Sequence, residues 1–284
     1  MLAHVDAGKT SLTERLLFDH GAIPRLGSVD GGDTQTDSGE LERRRGITIR
    51  SAVAWFALRD PVLGDLQVNL VDTPGHPDFI AEVERALSVL DGAVLVVSAV
   101  EGVQAQTRVL MRSLRRLRLP TLVFVNKVDR VGARQADLVA EIRRRLTPAV
   151  VPVTRVDRLG TRDAGVVARP FTDPDFAAEV LEALADHDLA LLARAVDGDV
   201  PDDLAGPLRD QTCRGLVHPV FFGSAISGAG VAELADGVRR YLAPRPVTSD
   251  EPRGTVFAVD RAANGEKVAY LRLFSGEVHG RQRV

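Results

Sequence analysis

Hydrophobic positions change their spacing along this chain, and each change marks an element. Leu12, Leu16 and Leu17 recur at helical spacing and predict a helix over about 10–20, stopped by Gly21. Residues 51–58 alternate like a half-buried strand, and 66–71 read as a second. A helix is expected over about 77–90. The runs Ala93-Val94-Leu95-Val96-Val97 and Thr121-Leu122-Val123-Phe124-Val125 are apolar throughout, the pattern of strands buried on both faces. Between them Leu110, Leu114 and Leu117 predict a helix over about 103–117, with Arg112, Arg115, Arg116 and Arg118 on its wet face. Further helices are expected over about 135–146, 174–196, 201–216 and 229–242, and a strand over 217–222. Residues 147–172 read as irregular, with short Val-rich pieces.

Strands alternating with helices imply an α/β domain with a doubly wound, mostly parallel sheet over 1–243. A helical block at about 134–216 interrupts the alternation and reads as an insert. A proline-bearing linker, 244–253, follows. Beyond it the period becomes two: 255–260 and 267–274, joined through Asn264-Gly265, predict a hairpin. Residues 254–284 are too few to close a barrel, so they read as the start of a β domain.

The candidate chemistry lies at the ends of the predicted strands. Ala3-His4-Val5-Asp6-Ala7-Gly8-Lys9-Thr10, followed by Ser11, reads as a phosphate-binding loop opening a helix. Gly8 lets backbone approach a phosphate, Lys9 reaches the β- and γ-phosphates, and the Thr10 hydroxyl suits Mg²⁺. Ala3 stands where the strict pattern has Gly, so a helix N-terminus that happens to carry Gly-Lys-Thr is the bland alternative. Asp72 ends a buried strand, where open α/β sheets place ligand chemistry, and Gly75 and His76 follow it. His76 is a candidate to position water. Asn126-Lys127-Val128-Asp129 ends another strand. A carboxylate at Asp129 accepts from guanine N1–H and its 2-amino group, donors that adenine lacks. Gly223-Ser224-Ala225 is a small-residue turn able to give backbone N–H to a base oxygen. Residues 21–46 are polar and glycine-rich, either a surface loop or a switch that orders around a ligand.

Composition sharpens this picture. Only three of the 36 basic residues are lysine, and two of them, Lys9 and Lys127, fall in these motifs. A phosphate loop has room for a slim ammonium and none for a planar guanidinium. The net charge of −3 argues against bulk electrostatic capture by nucleic acid or membrane. Cys213 is the only cysteine, which excludes an intrachain disulfide and fits a reducing cytoplasm. No apolar run is long enough to span a membrane. Only Met1 and Leu2 precede the phosphate loop, so the strand that normally leads into it is expected to be missing and the chain to be truncated at both ends.

Taken together, these motifs resemble a P-loop GTPase of the translation-factor class. The segments AIPRLGSVD (22–30), LERRRGITI (41–49), DTPGHPDF (72–79), EVERALSVLDG (82–92) and GVQAQTR (102–108) resemble the tetracycline-resistance ribosomal protection proteins, relatives of elongation factor G. The resemblance covers essentially the whole chain, and Ala at position 3 is typical of this branch. It implies that Asp6, Ala7, Gly8, Lys9, Thr10, Ser11 and Gly75 form the nucleotide site, with Asp6 helping to place a monovalent cation, while Thr10, Thr48 and Asp72 hold Mg²⁺. Thr48 and Gly75 would sense the γ-phosphate. His76 would orient the attacking water once ribosomal RNA repositions it, past an apolar gate of Val5 and Ile47. Asn126, Lys127, Asp129, Ser224 and Ala225 would read guanine. GTP and GDP would be substrate and product, the ribosome the partner, and the protein a cytoplasmic monomer that meets no membrane. Two other readings stand beside it: a remnant that binds nucleotide or ribosome without turnover, and an ATP-using enzyme, which Asp129 argues against.

Overall fold

The central strands form because β-branched and aromatic runs can bury both faces at once. The computed structural model describes residues 1–27, 52–60, 64–72, 86–243, 249–261 and 265–279. Five parallel strands make the main sheet: β1 (Leu2–Ala3), β4 (Ala93–Ser98), β5 (Thr121–Asn126), β6 (Val150–Pro152) and β9 (His218–Phe222), in the order β1-β4-β5-β9-β6. Successive residues of β4 and β5 point to opposite faces. Val94, Val96, Leu122 and Phe124 join one core, and Leu95, Val97, Val123 and Val125 the other.

Helices cover both faces. The first core holds Leu12, Leu16 and Leu17 of α1 (Lys9–Asp19) together with Phe176, Val180 and Leu184 of α4 (Pro174–Ala185). The second holds Leu110, Met111 and Leu114 of α2 (Ala105–Arg116), with Leu138 and Ile142 of α3 (Ala136–Arg145). The doubly wound α/β reading is therefore met. Strands β2 (Ala52–Asp60) and β3 (Gly64–Asp72) pair antiparallel as a ribbon that buries Phe56 and Leu58.

The structure departs from the sequence reading in several places. The strand leading into the phosphate loop was expected to be missing, yet Leu2 and Ala3 pair in parallel with Leu95 and Val96. The Met1 ammonium donates to the Val71 carbonyl at 2.8 Å, which links this edge strand to β3. Residues 147–172, read as irregular, contain β6, which is the sheet's edge, and a hairpin of β7 (Thr154–Asp157) with β8 (Gly165–Ala168). The stretch over 174–196 is two helices, because Asp188 caps a new one, α5 (Leu189–Val196), by accepting from the Ala190 and Leu191 amides. Two more helices follow, α6 (Ala205–Cys213) and α7 (Val231–Gly237), and α7 runs on into a single π-helical turn, Val238–Leu242.

The hairpin beyond the linker pairs β10 (Arg253–Arg261) with β11 (Lys267–Ser275). Arg272 donates to both carboxylate oxygens of Asp91, at 2.7 and 2.9 Å, which ties the hairpin to the segment just before β4. The expected helix over 77–90 is described only from residue 86, and residues 280–284 of the expected β domain lie outside the described residues. Among the described residues no helix is long and apolar enough to cross a membrane.

Candidate functional site

Strand β1 ends at Ala3 and the chain turns at once into the phosphate loop. Asp6 (φ 62°) and Gly8 (φ 89°) both take left-handed backbone, which winds the chain into a nest before α1 begins at Lys9. A side chain at Gly8 would place its Cβ 2.3 Å from Asn126 Nδ2, so the position needs glycine for space as well as for φ. Lys9 is buried, and its ammonium pairs with Asp72 Oδ1 at the end of β3. Asp72 is 1% exposed, and its Oδ2 has no hydrogen-bond partner among the described residues. A buried carboxylate oxygen left over beside a helix N-terminus is a donor suited to a hydrated hard cation. Thr10 and Ser11 stand half-buried in the first turn of that helix. The donor set therefore fits Mg²⁺.

The base-reading side is joined to this loop by one side chain. Asn126, 3% exposed at the end of β5, donates from Nδ2 to the Ala7 carbonyl at 2.9 Å and accepts at Oδ1 from the Ala225 amide at 2.9 Å. It locks three segments together: the phosphate loop, the strand end and the turn after β9. Lys127 follows with φ 69°, a conformation non-glycine residues rarely adopt. Asp129 Oδ1 is buried without a partner among the described residues, and Oδ2 lies 3.9 Å from Arg130 Nε. Such an orphan acceptor is costly unless something else satisfies it, as the N–H groups of guanine would. Ser224 and Ala225 are buried in the neighbouring turn.

The structure thus brings together Asp6, Ala7, Gly8, Lys9, Thr10, Asp72, Asn126, Lys127, Asp129, Ser224 and Ala225. Val5 is half-buried in the same loop. Thr48, Gly75 and His76, with Ile47 of the expected gate, lie outside the described residues.

Three contributors carried no signal in the sequence reading. Arg15 on α1 donates to the Ala225 carbonyl at 3.0 Å and to the Ile226 carbonyl at 2.5 Å, pinning the turn that flanks the base loop. Glu14, fully buried, accepts from the Gly27 amide at 3.2 Å and holds the end of the described loop after α1. Glu101, between β4 and α2, accepts from Lys127 Nζ at 3.0 Å and meets His4 Nε2 at 3.1 Å. Burial alone would raise the Glu101 carboxyl, but hydrogen bonds from Lys127 and His4 outweigh it and hold the group below its ordinary value. Burial pushes His4 down, and Glu101 offsets only part of that. These contacts span 26 and 97 residues, and no local pattern encodes them.

Comparison with known proteins agrees with this geometry. Residues 1–244 match the family described as the elongation factor Tu GTP binding domain. The chain is 60% identical over 293 residues to the tetracycline resistance protein TetM of Streptomyces lividans, and 61% identical over 289 residues to the oxytetracycline resistance protein of Streptomyces rimosus. All of this chain takes part in both alignments, but it spans 44% and 43% of the length of those relatives. A crystal structure of a Thermus thermophilus protein superposes with a TM-score of 0.82 at 31% identity, covering 97% of this chain and 45% of that one.

Proposed function

The chain belongs to the elongation factor Tu GTP-binding domain family, and from that membership we propose that it binds GTP with Mg²⁺ and hydrolyses it when the ribosome completes its site, as a factor of the tetracycline-protection type. It would act in the cytoplasm as a monomer. In this reading residues 1–243 would form its nucleotide domain, 244–253 the linker and 254–284 part of a β domain.

Lys9 and the backbone amides of residues 6–11 bind the phosphates. The Lys9 ammonium, paired with Asp72, lies at the helix start where the β- and γ-phosphates would compete for it. Thr10, Asp72 and Thr48 would hold Mg²⁺, which when bound neutralises charge on the β- and γ-phosphate oxygens. Asp129 accepts from guanine N1–H and the 2-amino group. Asn126 fixes the distance between base loop and phosphate loop, and Ser224 and Ala225 border the base. Gly75 donates its amide to the γ-phosphate. His76 orients the water that attacks the γ-phosphorus in line with the departing GDP oxygen. Positioning and charge stabilisation supply most of the rate in phosphoryl transfer, so turnover should be slow without the partner that places His76.

The observation that carries this reading is the Asn126 bridge, which ties the phosphate loop to the strand end that leads into Asp129, whose buried Oδ1 has no partner among the described residues. The passive-remnant alternative rests on two expectations, a missing phosphate-loop strand and a broken β domain; the first is not met, since Leu2–Ala3 pairs with β4. Titration of the 284-residue chain with fluorescent GDP and ADP in Mg²⁺, beside Lys9→Ala, tests the proposal. Lys9-dependent binding of GDP alone is expected. Equal binding of both nucleotides, or binding indifferent to Lys9, would contradict it.

A further inference from the structure

Glu101 is a single carboxylate shared between the two halves of the site. One oxygen takes the Lys127 ammonium of the base loop, at 3.0 Å. The other meets the ring of His4, a residue of the phosphate loop that is 6% exposed, at 3.1 Å. His4 is in turn fixed on its far side by Thr107 Oγ1, 3.2 Å from Nδ1. The backbone of Glu101 is itself held: its amide donates to Ser98 Oγ at 3.2 Å, and its carbonyl accepts from Gln104 Nε2 at 2.8 Å. Lys127 needs such a tether. Its φ of 69° places it in the left-handed region, and residues stay there only when their surroundings hold them.

We propose that Glu101 is a positioning residue of the guanine site: it holds the Lys127 stem in place along the base and, through His4, ties the base loop to the phosphate loop by a second route parallel to the Asn126 bridge. This rests on the guanine-nucleotide reading above. Without Glu101, Lys127 would swing through other rotamers and the base would lose one wall. The Lys127 and Glu101 side chains are 26% and 38% exposed, so water screens the pair. The effect is therefore set by geometry more than by Coulomb energy.

The test is dissociation of N-methylanthraniloyl-GDP, followed by stopped flow, from the full chain and from Glu101→Ala, Lys127→Ala and the double variant. Glu101→Gln and Glu101→Asp are run beside them. The half-exposed position of Glu101 makes unfolding of its variants unexpected, and Glu101→Gln keeps its shape. Glu101→Ala should speed release about five- to tenfold, the scale of one charge-assisted hydrogen bond partly screened by water. In the Lys127→Ala background the same change should add less than twofold, because Glu101 acts through Lys127. Glu101→Asp, one methylene shorter, should recover part of the loss. Release unchanged in Glu101→Ala, or accelerated by the same factor with and without Lys127, would overturn the inference. No nucleotide retained by the unaltered chain would overturn the guanine reading itself, and this inference with it.

Discussion

Replacing Asn126 by Ala removes the side chain that joins phosphate loop to base loop. Two backbone groups then lose their partners, the Ala7 carbonyl and the Ala225 amide, each previously bonded at 2.9 Å. Both residues are buried, at 0% and 2% exposure, so bulk water cannot simply replace the amide. An orphaned buried group costs ~1–3 kcal/mol, and a water entering the space left by the amide favours the lower end, so the pair together cost about 2–4 kcal/mol. Against a total stability of ~5–15 kcal/mol this is a large share. In a domain of this size it corresponds to a melting point lower by roughly 5–12 °C. The geometric effect on binding is separate: the turn at Ala225 and the loop at Ala7 are no longer held at fixed spacing. Affinity for GDP should fall by more than the stability change alone would cause. Thermal melting followed by circular dichroism, and GDP binding measured well below the melting range, check the two parts. A variant that melts within a degree of the parent and binds GDP equally well would refute the bridging role.

Gly8→Ala strains the same place from the other side. A left-handed φ of 89° costs a non-glycine residue ~1–2 kcal/mol, and the new Cβ would lie 2.3 Å from Asn126 Nδ2. Its effect on melting should therefore be less than additive with Asn126→Ala, and strict additivity in the double variant would argue against a shared cause. His218, 1% exposed in β9 with Nδ1 3.2 Å from the Thr121 carbonyl, is pushed down to about 4 chiefly by burial. Between pH 6.5 and 4 the unfolded chain binds a proton there that the folded chain does not. Stability is fully present above pH 6.5 and falls as pH drops through that window, by up to about 3 kcal/mol from this group. Urea melts of His218→Asn and the parent across pH 4–7 should converge on acidification; parallel curves would remove His218 from the acid response.

The parts of the fold legible in the sequence are those with a long, uniform signal. Strands β4 and β5 announce themselves because all six residues of each are buried and those between the two ends are apolar. The phosphate loop and Asn126-Lys127-Val128-Asp129 were legible because their chemistry is local: a glycine, a lysine or a carboxylate at a fixed offset from a strand end. Short elements gave no such signal. Val150–Pro152 is three residues, too few to show a period, yet its pairing with β9 makes it the edge of the main sheet. Leu2–Ala3 is shorter still and is recognisable only by its partners on β4. Asp188 is an N-cap hidden inside a continuous helical pattern, since its neighbours on both sides favour helix. The contacts that unify the site were invisible for a different reason. Glu101 to His4 and Arg15 to Ala225 join segments 97 and 210 residues apart, and only the folded chain brings them together.

In the proposed function, Asp129 is the residue that selects guanine. The direct measurement is the affinity of the parent chain and of Asp129→Asn for GDP and for xanthosine diphosphate, whose ring carries a carbonyl in place of the 2-amino group. The parent should prefer GDP. Asp129→Asn should lose roughly 100-fold for GDP, the scale of a buried charged hydrogen-bond pair, and gain for xanthosine diphosphate, because an amide can donate to that carbonyl. Unchanged GDP affinity, with no gain for the xanthine nucleotide, would mean that Asp129 does not read the base.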